Sequence, residues 1–302
     1  MNYVEEIKKL KREKNAVILA HSYQNVEIDE VADYVGDSLY LSQMAEKTNA
    51  DIIIFAGVYF MAQTAKILNP NKKVILPNLN AGCEMADMIN LQQLREFKSK
   101  HPDIPTVCYI NSTAEVKSEC DICCTSSNAI KIVDSLKAKK VLFLPDRNLG
   151  KWVEKQLGNV EVITYNGCCP IHDELDPQGI KETKAKYPQA IVLAHPECRE
   201  EFSSQADYVG STTGIINFVK NSNEKKFIIA TENGVIDRLK RDYPEKEFYS
   251  IYDKPSICNN MKLNSLLDIY YALKNETPEI NVEPELAKKA IKCINRMLEV
   301  SK

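Results

Sequence analysis

The sequence predicts an α/β protein built from three pseudo-threefold-related α/β/α domains, each with a small parallel sheet, around a central site. Internal repetition is the first observation behind this expectation. Ala16-Val-Ile-Leu-Ala-His21 returns 174 residues later as Ala190-Ile-Val-Leu-Ala-His195, and Ala32-Asp-Tyr-Val-Gly36 returns unchanged in the same register as Ala206-Asp-Tyr-Val-Gly210. A middle copy is the second. A shift of 88 carries His21 onto Tyr109 and Ser38 onto Ser126, and a further 86 carries them onto His195 and Thr212. A period of about 87 residues is too long for a solenoid and suits one small domain per copy. The third is the alternation of short apolar runs with helical patterns, which implies parallel sheets covered by helices.

The opening residues 1–15 read as a first helix, with Lys8, Lys9, Lys11 and Arg12 on its solvated face. In each copy an apolar run then ends in a polar residue: His21, Tyr109 or His195. A second short strand is expected at residues 32–35, 120–124 and 206–209, and a helix start at Ser38, Ser126 and Thr212. A third apolar run follows (52–55, 140–143, and the stretch reaching Ile229), then a helix, then a fourth strand at 74–76, 160–164 and 247–251. Beyond Cys258 the pattern becomes helical, at 263–273 and at 285–300, where Pro284 opens a stripe of Ala287, Ile291, Ile294 and Leu298. Both tail helices are expected to pack on the first unit. The expected domains are therefore 1–83 with 259–302, 84–170, and 171–258.

Composition narrows the function. The chain has 302 residues, 44% of them hydrophobic, and a formal net charge of -3. Such a chain has ample core and no basic face, so nucleic acid and acidic membranes are excluded as partners. The opening segment is too charged for a secretory signal and no apolar run reaches the roughly 18 residues of a membrane span, so a cytoplasmic location is expected. Ten cysteines in a reducing compartment argue for metal binding or redox chemistry rather than disulfides.

One cysteine follows the fourth strand of each copy: Cys83, Cys169 and Cys258, spaced by 86 and 89 residues. Matching positions in three copies point to convergence on the pseudo-threefold axis. Three thiolates at one point repel unless a metal holds them. Three separated cysteines suit a [4Fe–4S] cluster with one open iron, which acts as a Lewis acid. A Cys3His zinc site completed by His172 is the alternative, and adjacent Cys168 leaves the middle ligand open on spacing alone. Cys120-Asp-Ile-Cys123-Cys124 contains a C-x-x-C, but no other copy has it, and it reads as packing with incidental redox sensitivity. Cys293, beside the tail stripe, reads as core.

The polar strand ends form a second constellation. His21-Ser-Tyr23, Tyr109-Ile-Asn111 and His195-Pro-Glu197 are equivalent triplets, and ligands of parallel sheets bind beyond the carboxyl ends of the strands. Helix starts at Ser38, Ser126 and Thr212 would bind carboxylate or phosphate, so a small polyanionic substrate is expected. Glu197 is the natural general acid/base, with Tyr23 its counterpart in the first copy. His101 reads as surface.

These residues lie in longer matching segments: His21-Ser-Tyr-Gln24, Gly36-Asp-Ser38, Asn80-Ala-Gly-Cys83-Glu-Met-Ala86, Tyr109-Ile-Asn-Ser-Thr-Ala-Glu115, Thr125-Ser-Ser-Asn128, Gly167-Cys-Cys169-Pro-Ile-His172, His195-Pro-Glu-Cys198 and Cys258-Asn-Asn-Met-Lys262. Together they resemble the quinolinate synthases, the A proteins of NAD biosynthesis, over nearly the whole chain. The resemblance implies one [4Fe–4S] cluster per chain, with three cysteine ligands and one open iron. It implies Cys169 rather than Cys168 as the middle ligand. It also implies condensation of iminoaspartate with dihydroxyacetone phosphate to quinolinate, phosphate and water, the imine supplied by an L-aspartate oxidase or dehydrogenase. Its substrate-contacting positions fall on His21, Ser38, Tyr109, Ile110, Asn111, Ser126, His195, Pro196, Glu197 and Thr212, and proton transfers fall to Tyr23, His21, His195 and Glu197. One departure stands out: where some members carry a C-x-x-C-x-x-C run ending at the third ligand, this chain has Tyr252 and Pro255. Other readings are a different cluster-dependent hydro-lyase, or a non-catalytic metal-binding or redox-sensing protein.

Overall fold

The runs of Val, Ile, Leu and Ala that open each copy are strands buried on both faces, as a helix-covered parallel sheet requires. The computed structural model describes residues 2–302. The first sheet holds β1 (Ala16–His21), β2 (Tyr34–Gly36), β3 (Ile52–Ala56) and β4 (Lys73–Ile75). The second holds β5 (Thr106–Tyr109), β6 (Ile122–Cys124), β7 (Lys140–Leu144) and β8 (Glu161–Thr164). The third holds β9 (Ile191–Ala194), β10 (Tyr208–Val209), β11 (Lys226–Ala230) and β12 (Glu247–Tyr249). Each is four-stranded with the order second, first, third, fourth, and every pairing is parallel.

One side-chain device recurs in all three units. The Asp33 carboxylate accepts from the Ile18 N–H (2.8 Å), Asp121 from Thr106 (2.7 Å) and Asp207 from Val192 (2.8 Å). Each aspartate thus ties the approach to the second strand onto the start of the first. With Asp33 and Asp207 so engaged, the second strands of the outer units begin at Tyr34 and Tyr208, two residues later than the alternation suggests.

Helices α1 (Tyr3–Glu13), α2 (Ser38–Lys47) and α3 (Tyr59–Leu68) belong to the first unit, and α4 (Leu91–Ser99), α5 (Ala114–Lys117), α6 (Ala129–Ser135) and α7 (Arg147–Leu157) to the second. The third unit follows with α8 (Pro170–Asp173), α9 (Pro177–Lys186), α10 (Glu200–Ser203), α11 (Thr212–Asn221) and α12 (Gly234–Asp242). Ser38 and Thr212 open their helices, but the capping side chains are the preceding Asp37 and Ser211. Ser126 does not open one. The Asn128 side chain accepts from the Thr125 N–H (2.6 Å) and closes a turn, so α6 starts only at Ala129 and Ser126 sits in the turn before it.

The tail helices α13 (Leu266–Asn275) and α14 (Pro284–Val300) part company. α13 lies on α1 and β3 of the first unit, with Tyr3 and Tyr270 rings 5.4 Å apart. α14, expected there too, packs mainly on α5 and β6 of the second unit and reaches α3 with its edge. Its stripe of Ala290, Cys293, Ile294, Met297 and Leu298 enters the same apolar core as Val116, Ile122 and Cys123. Asn128 donates to Ser301 at its end (2.8 Å). Among the described residues no helix is long and apolar enough to cross a membrane.

Candidate active site and cysteine triad

The carboxyl ends of the three sheets face one cavity. His21 ends β1, Tyr109 ends β5, and His195 follows β9; all three line it. The helix starts meet there as well: Ser127 of the second unit donates to Asp37 of the first and contacts Ser211 of the third (2.9 Å), so one hydroxyl bridges the other two units. Ser38, Ser126 and Thr212 line the wall beside them. Asn111 presents a buried side-chain oxygen without a protein partner, an acceptor open to a ligand N–H. Ile110 and Pro196 are not among the lining residues; Ile110 is packed in the core.

A polar relay crosses the cavity. Thr212 Oγ1 donates to the Tyr23 hydroxyl (2.9 Å), which in turn lies 2.9 Å from Thr231 Oγ1. Thr231 Oγ1 is 2.9 Å from His172 Nε2, and His172 Nδ1 is 2.8 Å from Glu197 Oε2. Tyr109 donates to the other carboxylate oxygen. As far as His172 the donors and acceptors agree in one direction if Thr231 donates to Nε2; the ring proton then sits on Nδ1, close to Glu197 but without a hydrogen bond of good geometry. Asp173, next in α8, accepts from Arg147 (2.8 and 2.9 Å) and Asn148 (2.8 Å), which fixes the short helix that carries His172.

His21 and His195 share a local turn. Nδ1 of His21 accepts from the Tyr23 N–H (3.2 Å), and Nδ1 of His195 from the Glu197 N–H (3.3 Å). Each ring therefore keeps its proton on Nε2, as a donor for a ligand. Burial pushes His21 down to about 4 and His195 to about 3, against the pull of nearby carboxylates. Burial alone would raise Glu197, but the two imidazoles and the Tyr109 hydroxyl outweigh it and hold the carboxyl at about 2. Burial and the Glu197 charge push the Tyr23 and Tyr109 phenols well up. At neutral pH His21 and His195 are thus neutral, Tyr23 and Tyr109 are neutral phenols, and Glu197 is a carboxylate.

Those shifts set an acid limit on stability. Unfolded histidine takes a proton below about 6.5, whereas these two resist until about 4 and 3. Their contribution is present above 6.5 and is lost as pH falls toward those values, at about 1.4 kcal/mol per pH unit for each histidine. Glu197 adds to the loss between its unfolded 4.5 and about 2. Urea midpoints should therefore fall steeply from pH 6.5 to pH 4, and His21→Gln should flatten that fall.

Cys83, Cys169 and Cys258 all line the cavity. Backbone amides turn to each sulfur: those of Ala86 and Met85 to Cys83, of His172 to Cys169, and of Met261 and Asn260 to Cys258. Two buried carboxylates hold the cysteine backbones in place. Asp146, two residues past β7, accepts from the Cys169 N–H (3.1 Å), and Glu232, two residues past β11, accepts from the Cys258 N–H (3.3 Å). Lys262 joins Glu232 (3.2 Å) and donates to the Tyr23 carbonyl (2.6 Å), tying the Cys258 loop to the Tyr23 loop. Cys168 does not line the cavity; its thiol faces Arg147.

A family model described as "Quinolinate synthetase A protein" matches residues 5–299. A quinolinate synthase of Alkaliphilus metalliredigens is 52% identical over 299 residues, which cover 99% of this chain and 98% of that protein. Quinolinate synthases of Clostridium novyi and a Geobacter species are 50% and 48% identical, over 97% and 98% of this chain and 97% and 96% of theirs. The chain belongs to the quinolinate synthetase A protein family. It is an enzyme of that family, which sets aside the readings as another hydro-lyase or a non-catalytic metal-binding protein.

Within this family member, repetition located the strand-end triplets but missed residues that occur once. His172, which the sequence marks only as a zinc ligand, sits at the centre of the relay, and neither Thr231, which joins it, nor Asp37, which lines the cavity, is singled out by repetition. Thr231 directly follows β11, so the strand-end rule extended to the third strand would have found it. Cys169, His172 and Glu197 bring ligand atoms within 4.8 Å of one another and could hold a metal ion. Of the His172 ring nitrogens, Nε2 meets Thr231 Oγ1, while Nδ1 lies 2.8 Å from Glu197 Oε2 without a hydrogen bond of good geometry.

Proposed function

We propose that this chain condenses iminoaspartate with dihydroxyacetone phosphate to quinolinate, phosphate and water, with a [4Fe–4S] cluster held by Cys83, Cys169 and Cys258. The observation that carries the reading is the meeting of three thiols and the Tyr23–Glu197 relay in one cavity at the strand ends. The donor set fits the group. Three sulfurs come from three separate loops, each faces backbone amides suited to a thiolate, and burial keeps them as thiols until a metal displaces the protons. When bound, the cluster supplies an open iron as Lewis acid for loss of a hydroxyl as water.

The protein groups do the rest. The amides and hydroxyls at the starts of α2 and α11, with Ser126 and the Nε2–H groups of His21 and His195, bind the carboxylates and the phosphate. Asn111 accepts from the imine nitrogen with its free oxygen, and Tyr109 stands beside it. Glu197 is the anionic base for isomerising the triose phosphate. Tyr23 gives and takes the later protons. Its own proton can pass through Thr231 to His172, whose cation Glu197 stabilises, and return by the same route. Ring closure with loss of water and phosphate ends in an aromatic product.

Free iminoaspartate hydrolyses readily, so an L-aspartate oxidase or dehydrogenase is the partner class that would supply it. All ten cysteines are free thiols, which suits a cytoplasmic setting. Protein purified without oxygen should be brown and carry roughly four iron and four sulfide per chain. A colourless protein with stoichiometric zinc would contradict the cluster.

A further inference from the structure

Behind the second sheet, four thiols surround a lysine, and none of the five residues lines the cavity. Lys117, the last residue of α5, is wholly buried. Its ammonium donates to the Ser112 carbonyl (2.7 Å) and Thr64 Oγ1 (3.1 Å) and lies 5.3 Å from the Phe60 ring centre. The ionisable groups facing it are thiols: Cys123, Cys108, Cys293 and Cys120. Cys123 lies on β6 and Cys293 on α14, both fully buried, 170 residues apart in sequence, with sulfurs 3.1 Å apart. That is closer than two unbonded sulfurs normally rest. Cys120, at the edge of the group, is only half-buried and gives a small oxidant an approach.

We propose that Cys123 and Cys293 form an oxidisable dithiol, converted by a peroxide into a disulfide that fastens the C-terminal helix to the second sheet. Burial raises the Cys123 thiol, whereas at Cys108 burial is outweighed by hydrogen bonds from Cys120, Cys123 and Ser112 and by the Lys117 charge, which hold the thiol well below its usual range, so Cys108 is the base that takes the Cys123 proton and frees the thiolate that attacks. One thiolate attacks a peroxide oxygen. An S–O bond forms, the O–O bond breaks, and the released hydroxide takes a proton and leaves as water. The second thiol attacks the sulfenic sulfur, the S–S bond forms, the S–O bond breaks and a second water leaves. The two sulfurs together lose the two electrons that the peroxide gains.

The crosslink acts at a sensitive place. Cys123 pairs with Cys108 in the sheet, and the Cys124 carbonyl accepts from the Ile110 N–H (2.8 Å), so β6 lies against the strand that ends in Tyr109. α14 also holds the turn of Ser126 through Ser301 and Asn128. Closing so long a loop narrows the unfolded ensemble and raises the thermal midpoint.

The test uses anaerobically prepared holoprotein treated with a few equivalents of hydrogen peroxide, blocked with a thiol-alkylating reagent under denaturing conditions, and mapped as peptides without reduction. The expected product is one peptide pair joining Cys123 to Cys293, reopened by a thiol reductant, with a thermal midpoint several degrees higher. Cys293→Ser should abolish both the pair and the shift; if it fails to fold, Cys123→Ala serves, and the wild-type map stands by itself. Recovery of both residues as alkylated thiols, while half-exposed Cys168 is oxidised, would overturn the proposal. So would a different cysteine pairing with either.

Discussion

Tyr23→Phe should lower kcat by about 10²- to 10⁴-fold, the range of a lost general acid–base group, and leave iron and sulfide at the wild-type level. The substitution removes one oxygen, placed between Thr212 Oγ1 and Thr231 Oγ1 at 2.9 Å from each. The ring keeps its edge contact with His21, centroids 4.6 Å apart, so the cavity wall is preserved. Glu197→Gln should fall as far. It keeps the shape of the side chain but withdraws the charge that would stabilise a protonated His172 at 2.8 Å. Residues acting through one relay are not additive, so the double variant should be little worse than either single one. Single-turnover rates under anaerobic conditions, with cluster content measured on the same samples, are the check. A Tyr23→Phe enzyme that keeps a third of wild-type kcat would remove the relay from the reaction.

Cys258→Ala should lose the cluster and all turnover, while Cys168→Ala should keep both. The two cysteines are alike in chemistry and differ in placement. The Cys258 sulfur lines the cavity with Cys83 and Cys169 and faces the amides of Met261 and Asn260. The Cys168 thiol lies outside the cavity beside Arg147. Iron and sulfide counts on the two variants, set beside Cys169→Ala, separate the outcomes. Equal loss in Cys168→Ala and Cys169→Ala would show that the middle ligand is not settled by which sulfur faces the cavity.

Much of the architecture could be read before the fold was known, because repetition exposes what symmetry requires. The matching strings around His21 and His195 sit at equivalent strand ends of the first and third sheets, and the middle copy supplies Tyr109 at the same place. What symmetry does not repeat was harder to see. His172 sits in the short helical turn after Cys169, and the matching turns after Cys83 and Cys258 carry Ala86 and Met261 in its place, so only the folded chain shows its two nitrogens near Thr231 and Glu197. The Ser126 helix start was misplaced because one side chain, Asn128, closes a turn that periodicity does not register. The apolar stripe of α14 marked a buried face but carried no information about which unit covers it. The four thiols around Lys117 looked unrelated in sequence because they come from β5, the turn after α5, β6 and α14.

Anaerobic holoprotein mixed with dihydroxyacetone phosphate and freshly generated iminoaspartate tests the central claim most directly. Quinolinate and phosphate should appear in equal amounts, with product formation tracking the cluster content of the sample. A protein with an intact cluster that forms no quinolinate from these two substrates would contradict it.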